Sequence, residues 1–426
     1  MSFRLLSNLS TKSFFFILLL TLFITFACSE PSKVKPTTGK ILDLKPTVIM
    51  ISLDGFRNDY LDKTITPNLY SLASNGVRSE ALIPVFPTKT FPNHYTIVTG
   101  LYPEHHNMIS NKMYDPETKN EFPGEGKIEA KNSVWWGGEP IWVTSQLQGQ
   151  NSATLFWPGS EAEIKGKRPT YWIPYDKGMA YIDRVNRILT WLELPVDKRP
   201  TLITLYIEEI DIAGHTYGTN SSQVKQALQS VDKVFQDLID GLKARGIFEQ
   251  VNLVITSDHG MTSLSEDRVI YIDDYIDLSK VRLLEETSLA WVWPKEGDVT
   301  EIYQKLVNKH PHLKVYLKEE IPEKYHFRNN VRIPPITVLA DEGWCVTTHG
   351  LTRALKRAFA GGGTHGYDPD LPSMQGIFIA HGSAFQKNLV VPPFHNTGVY
   401  NLVSKVLNLD PAPNDGCSDC FQNMLK

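Results

Sequence analysis

Three apolar runs in this chain end in groups that can hold a metal ion. Asp54 follows VIMISL, Asp211 follows LITLYIEEI, and the pair Asp258-His259 follows VNLVITS. His215 comes four residues after Asp211, which puts both on one face if a helical turn begins there. His365 sits in GGGTHGYD, where glycines let the backbone bend closely around a site. Each piece alone has a plainer reading: Asp-Gly is a turn former, Asp211 could be a helix cap, and a glycine run can be a loop. The pair after VNLVITS is harder to dismiss, because two ionisable groups directly behind a buried run are either desolvated at a cost or bound to something. Taken together, three Asp and three His make an oxygen and imidazole set suited to two zinc-like ions rather than to calcium or a sulfur-bound metal.

A two-metal site of this kind needs a nucleophile, and Thr90 in FPTKTFPNHYTIVTG can supply one. The string predicts a helix from Thr90 through His94 to Val98, with Pro92 in its first turn. A helix start offers free N–H groups and a positive dipole end, which favour an anionic phosphoryl group beside the hydroxyl. A threonine hydroxyl is hardly nucleophilic at neutral pH unless a metal lowers its pKa. The alternative, Thr90 as a cap and nothing more, stands beside this at the level of residue types.

These groups need a rigid frame. Runs at 47–53, 152–157, 202–207, 251–256 and 376–380 are almost unbroken apolar stretches, as in strands buried on both faces. Helical patterns lie between and after them at 139–147, 179–192, 222–244 and 397–407. The alternation predicts an α/β fold with a largely parallel sheet flanked by helices. In such a sheet ligands collect outside the carboxyl ends of the strands, where Asp54, Asp211, Asp258 and His259 fall. The 262–363 span has a different texture, with short β-like pieces and a helix at 299–308, and reads as a small inserted α+β lobe.

The ends of the chain carry other signals. Arg4 and Lys12 precede FFFILLLTLFITFA, an uncharged run shorter than the roughly 20 residues of a spanning helix and laid out like a secretory signal. Cleavage after Ala27 would leave Cys28 first, as in a bacterial lipoprotein, so a lipid anchor, ordinary cleavage and an uncleaved anchor are all open. All three export the domain to a periplasmic or cell-surface location, with 28–44 as a polar tether and 45–426 as the catalytic domain. Cys417 and Cys420 form a CSDC pair that reads as a local disulfide, and Cys345 stands alone. With 43 basic against 47 acidic side chains, the formal charge of -4 argues against a stable nucleic-acid complex. Hydrophobic residues at 42% are enough for a large core.

The strings ISLDGFRNDYL, PTKTFPNHYTIVTGLYPEHHNMISNKMYDP, FWPGSEA, TLYIEEIDIAGHTYG, ITSDHGM and GGTHGYDPDLPSMQGIFIAHG together resemble the nucleotide pyrophosphatase/phosphodiesterase family (type I phosphodiesterases) of the alkaline phosphatase superfamily. The motifs are colinear from about residue 46 to PAPNDG at 411–416, and the resemblance is to the bare catalytic domain. It implies an alkaline-phosphatase-like core and two zinc ions. One would be held by Asp211, His215 and His365, the other by Asp54, Asp258 and His259, with Thr90 as further ligand and attacking group. It also implies that Asn111 donates to a phosphate oxygen together with the Thr90 N–H, and that Phe91, Tyr175 and Tyr206, with Trp157 nearby, line a nucleoside pocket. The implied activity is hydrolysis of nucleotide phosphodiester or pyrophosphate bonds to nucleoside 5'-monophosphates through a phospho-threonine. A choline-lipid phosphodiesterase and a phosphomonoesterase are the alternatives on the same fold. Ile210 departs from the proline the family often has before this aspartate.

Overall fold

The computed structural model of the protein describes residues 39–124, 128–295, 297–350 and 359–426. The expected signal at 1–27, Cys28 and the tether up to residue 38 lie outside the described residues. From Ile41 the chain is already docked. Its N–H donates to the Arg245 carbonyl at 3.0 Å, its side chain is buried, and Asp43 pairs with Arg199 at 2.9 Å.

The main sheet contains, in chain order, Val48–Leu53 (β1), Val77–Ser79 (β2), Ser152–Leu155 (β3), Tyr171–Ile173 (β4), Leu202–Ile207 (β5), Asn252–Thr256 (β6), Phe378–His381 (β7) and Leu389–Val391 (β8). Its order is β8-β2-β7-β6-β1-β5-β3-β4. The five strands β6-β1-β5-β3-β4 run parallel. β7 is the exception, antiparallel to both β6 and β2, a direction that its short apolar run could not reveal. The other predicted strands and helices appear with their ends shifted by a few residues at most. Predicted helix 299–308, for example, forms as Val299–Leu306.

Seven helices matter to the main sheet: Pro67–Ser74 (α1), Thr90–Thr99 (α2), Ile141–Leu147 (α3), Tyr181–Leu192 (α4), Glu209–Tyr217 (α5), Ser222–Ala244 (α6) and Gly398–Val406 (α7). Alternation along β1 decides which helix meets which face. Ile49, Ile51 and Leu53 join the core formed with α1, α4 and α6, whereas Val48 and Met50 join the core formed with α2, α3 and α7. Ser52 points to the second face too, and its Oγ lies 2.8 Å from His94 Nε2 on α2. Burial of each large apolar side chain of β1 contributes about 1.5–3 kcal/mol, so the strand that carries Asp54 is fixed by its own composition.

Register then aligns the ends. Leu53 pairs with Ile207, and Ser52 pairs with Thr256, so β1, β5 and β6 finish at one edge of the sheet. A separate antiparallel sheet contains Val281–Leu284, Leu289–Pro294, Ile336–Ala340 and Leu313–Leu317 in that spatial order. In its second strand Leu289 and Trp291 pack into the main core, while Ala290 and Val292 pack with Ile302 and Leu306 of helix Val299–Leu306. Its first hairpin turn, 285–288, is thereby carried toward α2. Cys417 and Cys420 stand as free thiols, not the expected disulfide: the Cys420 N–H donates to Cys417 Sγ at 2.9 Å in a tight turn. Among the described residues no helix is long and apolar enough to cross a membrane.

Candidate active site

The strand ends deliver the acids to one crevice. Asp54 follows β1, Asp258 and His259 follow β6, and Asp211 and His215 project from the first turns of α5 after β5. The crevice closes because Gly55 has φ +69 and lacks a side chain: a Cβ there would lie 3.0 Å from the Asp211 backbone. In turn the Gly55 N–H donates to Asp258 Oδ1 at 3.2 Å. Asp211, His215 and His365 have donor atoms within 4.8 Å of one another, as do Asp54, Asp211 and His259, and likewise Asp54, His94 and Asp258.

The imidazoles are oriented for ligation. His215 Nδ1 donates to the Gly363 carbonyl at 2.8 Å, His259 Nδ1 to Gly260 at 2.8 Å, and His365 Nδ1 to Thr88 at 2.7 Å. A proton fixed on Nδ1 leaves the Nε2 lone pair facing the carboxylates, the arrangement that backbone carbonyls impose on metal-binding histidines. Nε2 of His215 and of His365 lie 3.3 and 3.7 Å from Asp211 Oδ1, and Nε2 of His259 lies 2.9 Å from Asp258 Oδ2. Asp211 Oδ1 and Asp258 Oδ2 are buried yet accept no hydrogen bond among the described residues. Buried carboxylate oxygens with imidazole lone pairs opposite them fit a cation. Burial alone would raise the Asp258 carboxyl, but His259 and His94 beside it hold it well below the usual carboxylate range. Against its own burial, His259 is raised in return by Asp258, so a proton on His259 Nε2 stands in the place a cation would take. Burial first, and then His259, Lys89 and His215, keep His365 well below the ordinary histidine value, so it is neutral and available as a ligand.

Thr90 opens α2, and its Oγ1 lies 3.4 Å from His259 Nε2. The donors at the helix start divide cleanly. Phe91 N–H is taken by Asn111 Oδ1 at 2.9 Å and Pro92 has none, which leaves Thr90 N–H as the first donor of the helix. Because Asn111 accepts through Oδ1, its Nδ2 group is the one left to donate to a ligand. His94, one turn after Thr90, is a further residue of the site that no motif in the sequence singles out. It is fully buried, with Nδ1 2.9 Å from the Thr90 carbonyl and 3.3 Å from Asp258 Oδ2. Its spacing of four from Thr90 was the available signal.

The four expected pocket aromatics separate in the structure. Trp157 is 1% exposed, and its Nε1 donates to the His94 carbonyl at 3.1 Å, so it presents no face to a ligand and supports α2 from below. Tyr206 is buried and its hydroxyl donates to Asp54 Oδ2 at 2.6 Å, which makes it a brace for a candidate metal ligand. Phe91 is buried too, edge-on to Phe122 with ring centroids 5.4 Å apart. Tyr175 is the partly exposed one, 6.2 Å from the Tyr206 ring.

A sequence profile of the family described as type I phosphodiesterase/nucleotide pyrophosphatase matches residues 48–368. The chain is 41% identical over 402 residues to an ectonucleotide pyrophosphatase/phosphodiesterase family member 3 of Bos taurus, covering 92% of this chain and 45% of the relative. It is 41% identical over 389 residues to a venom phosphodiesterase of Naja atra, covering 89% of this chain and 46% of that protein. The chain thus spans a little under half the length of these two relatives. Murine ectonucleotide pyrophosphatase/phosphodiesterase 5, solved as an inactive variant in complex with AMP, superposes with a TM-score of 0.84 at 38% identity, covering 89% of this chain and 100% of that one.

Proposed function

The chain belongs to the type I phosphodiesterase/nucleotide pyrophosphatase family, and we propose that it is an exported, zinc-dependent phosphodiesterase that cleaves nucleotide phosphodiester or pyrophosphate bonds. The observation that carries this reading is Thr90 Oγ1 at a helix start, 3.4 Å from His259 Nε2, beside clustered Asp and His donors. Asp211, His215 and His365 would hold one zinc ion, and Asp54, Asp258 and His259 with Thr90 the other, supplying charge that lowers the pKa of a bound hydroxyl and offsets charge on the leaving oxygen.

Thr90 Oγ1 gives up its proton to solvent and attacks phosphorus in line with the leaving alcohol or phosphate, whose P–O bond breaks as the new one forms. The new bond is a phospho-threonine ester, which water hydrolyses in a second displacement to free a nucleoside 5'-monophosphate. The Thr90 N–H and Asn111 Nδ2 take the charge on the non-bridging oxygens, and Asn111 is held in place for this by the Phe91 N–H. Tyr175 offers a π-face to the base, a contact tolerant of base identity. Export rests on the 1–27 signal, with Cys28 the point at which a lipid anchor would attach to membrane. Mass measurement of the chain from a bacterial host checks this: retention of residues 1–27 sinks export by cleavage, and an unmodified Cys28 sinks the anchor.

The test of the activity is Thr90→Ala beside Thr90→Ser on zinc-loaded protein, with metal content measured in both. Thr90→Ala should lose turnover and keep its metal, and Thr90→Ser should keep a measurable rate. Near-normal turnover by Thr90→Ala would mean that water attacks directly. The same preparation, given nucleotide diesters, phosphocholine esters and monoesters, separates the nucleotide reading from the lipid and monoester ones.

A further inference from the structure

One carboxylate outside the metal cluster touches both halves of the phosphate site. Glu285 stands at the tip of the hairpin between Val281–Leu284 and Leu289–Pro294, with φ +58, a left-handed conformation uncommon for a residue with a side chain. Its Oε2 lies 3.6 Å from Lys89 Nζ, the residue just before Thr90. Its Oε1 accepts from Ser110 Oγ at 2.7 Å and from the Lys112 N–H at 3.0 Å, the residues on either side of Asn111. Ser110 Oγ is fixed from behind by Trp291 Nε1 at 3.0 Å.

Lys89 is enclosed as well, with its side chain 5% exposed and Nζ donating to Thr287 Oγ1 at 3.1 Å. The stem runs under Gly366, where a Cβ would lie 2.7 Å from Lys89 Cε and 2.2 Å from Ser288 Oγ. A lysine adjoining the nucleophile would be the natural clamp for the second negative charge of a phosphate monoester. Here its charge is already matched by Glu285.

We propose that Glu285 is a positioning and specificity-determining residue: it clamps the Lys89-Thr90 and Ser110-Asn111-Lys112 segments together, and by neutralising Lys89 it keeps the phosphate site suited to singly charged diesters rather than doubly charged monoesters. The inference rests on the reading of Thr90 and Asn111 as the phosphate site. Charge and geometry can be separated because an amide in place of the carboxylate keeps an oxygen for Ser110 and Lys112 while dropping the charge.

The experiment compares Glu285→Gln, Lys89→Gln and the double variant on zinc-loaded protein with an aryl phosphate monoester and an aryl phosphodiester. The monoester-to-diester ratio of kcat/KM should rise by about tenfold or more in Glu285→Gln, fall by a similar factor in Lys89→Gln, and return toward the starting value in the double variant. A binding readout accompanies it: in a Thr90→Ala background, inorganic phosphate should bind about tenfold tighter when Glu285→Gln is added, measured by calorimetry. Equal losses on both substrates, or a ratio that does not follow the summed charge, overturn the proposal. If a variant fails to fold, the remaining single variant still carries a predicted sign. Turnover by Thr90→Ala alone would instead overturn the reading of the site, so the two failures are distinguishable.

Discussion

Single side chains near the crevice divide into those that would touch a substrate and those that hold the groups that do. Tyr206 belongs with the second kind, because its hydroxyl is spent on Asp54 Oδ2. Tyr206→Phe removes a hydrogen bond to a carboxylate, worth about 1.5–3 kcal/mol, and should slow nucleotide and small aryl phosphodiesters alike. Tyr175→Ala should behave differently. Loss of a stacking face is worth roughly 1–3 kcal/mol per base, so a nucleotide diester should weaken by about one to two powers of ten while an aryl diester lacking a base is little changed. Parallel kinetics on the two substrates check both, and equal losses in Tyr175→Ala would make it structural. The sequence named all four aromatics as one group. It could not rank them, since the resemblance identifies a ring without saying whether its face is covered, and Trp157 is covered by α2.

Strands and turns explain why the metal-binding candidates were legible and other site residues were not. Asp54, Asp211, Asp258 and His259 each follow an apolar run, and a parallel sheet converts that local fact into a common location through the register of β1, β5 and β6. Glu285 has no such signature, because it reaches the site by the folding of a different sheet and lies far in sequence from Lys89 and Ser110. His94 was hidden in another way, since a histidine within a buried helix looks the same whether it packs or ligates. The turn after β1 gives an element-scale test. Gly55→Ala would force a left-handed alanine, costing about 1–2 kcal/mol, and would push Cβ into the Asp211 backbone. Lower thermal stability together with loss of bound metal is the expected result; a variant that keeps full metal content would show that α5 can yield at that point.

At the scale of the whole molecule, the site is a concentration of negative charge that the fold alone does not neutralise. Asp54, Asp211 and His259 place donors within 4.8 Å, and Asp54 with Asp258 and His94 do the same, so three buried or half-buried carboxylates share one crevice. Like charges this close oppose the compact state, and the structure compensates only in part through imidazoles such as His259 beside Asp258. A cation that binds the folded chain and not the unfolded one stabilises the fold by mass action, about 2.7 kcal/mol when its free concentration is a hundred times its dissociation constant. Stripping the protein with a chelator should therefore lower its melting temperature, and returning zinc should restore it in proportion to the logarithm of free zinc. The same titration on His365→Ala, which removes one neutral ligand from a loop and leaves the strand-end carboxylates in place, should show a smaller zinc-dependent rise and loss of one bound ion per chain. A melting temperature indifferent to chelator and zinc in the unsubstituted protein would mean that these carboxylates are neutralised from within the chain, and the two-zinc reading would fall with it.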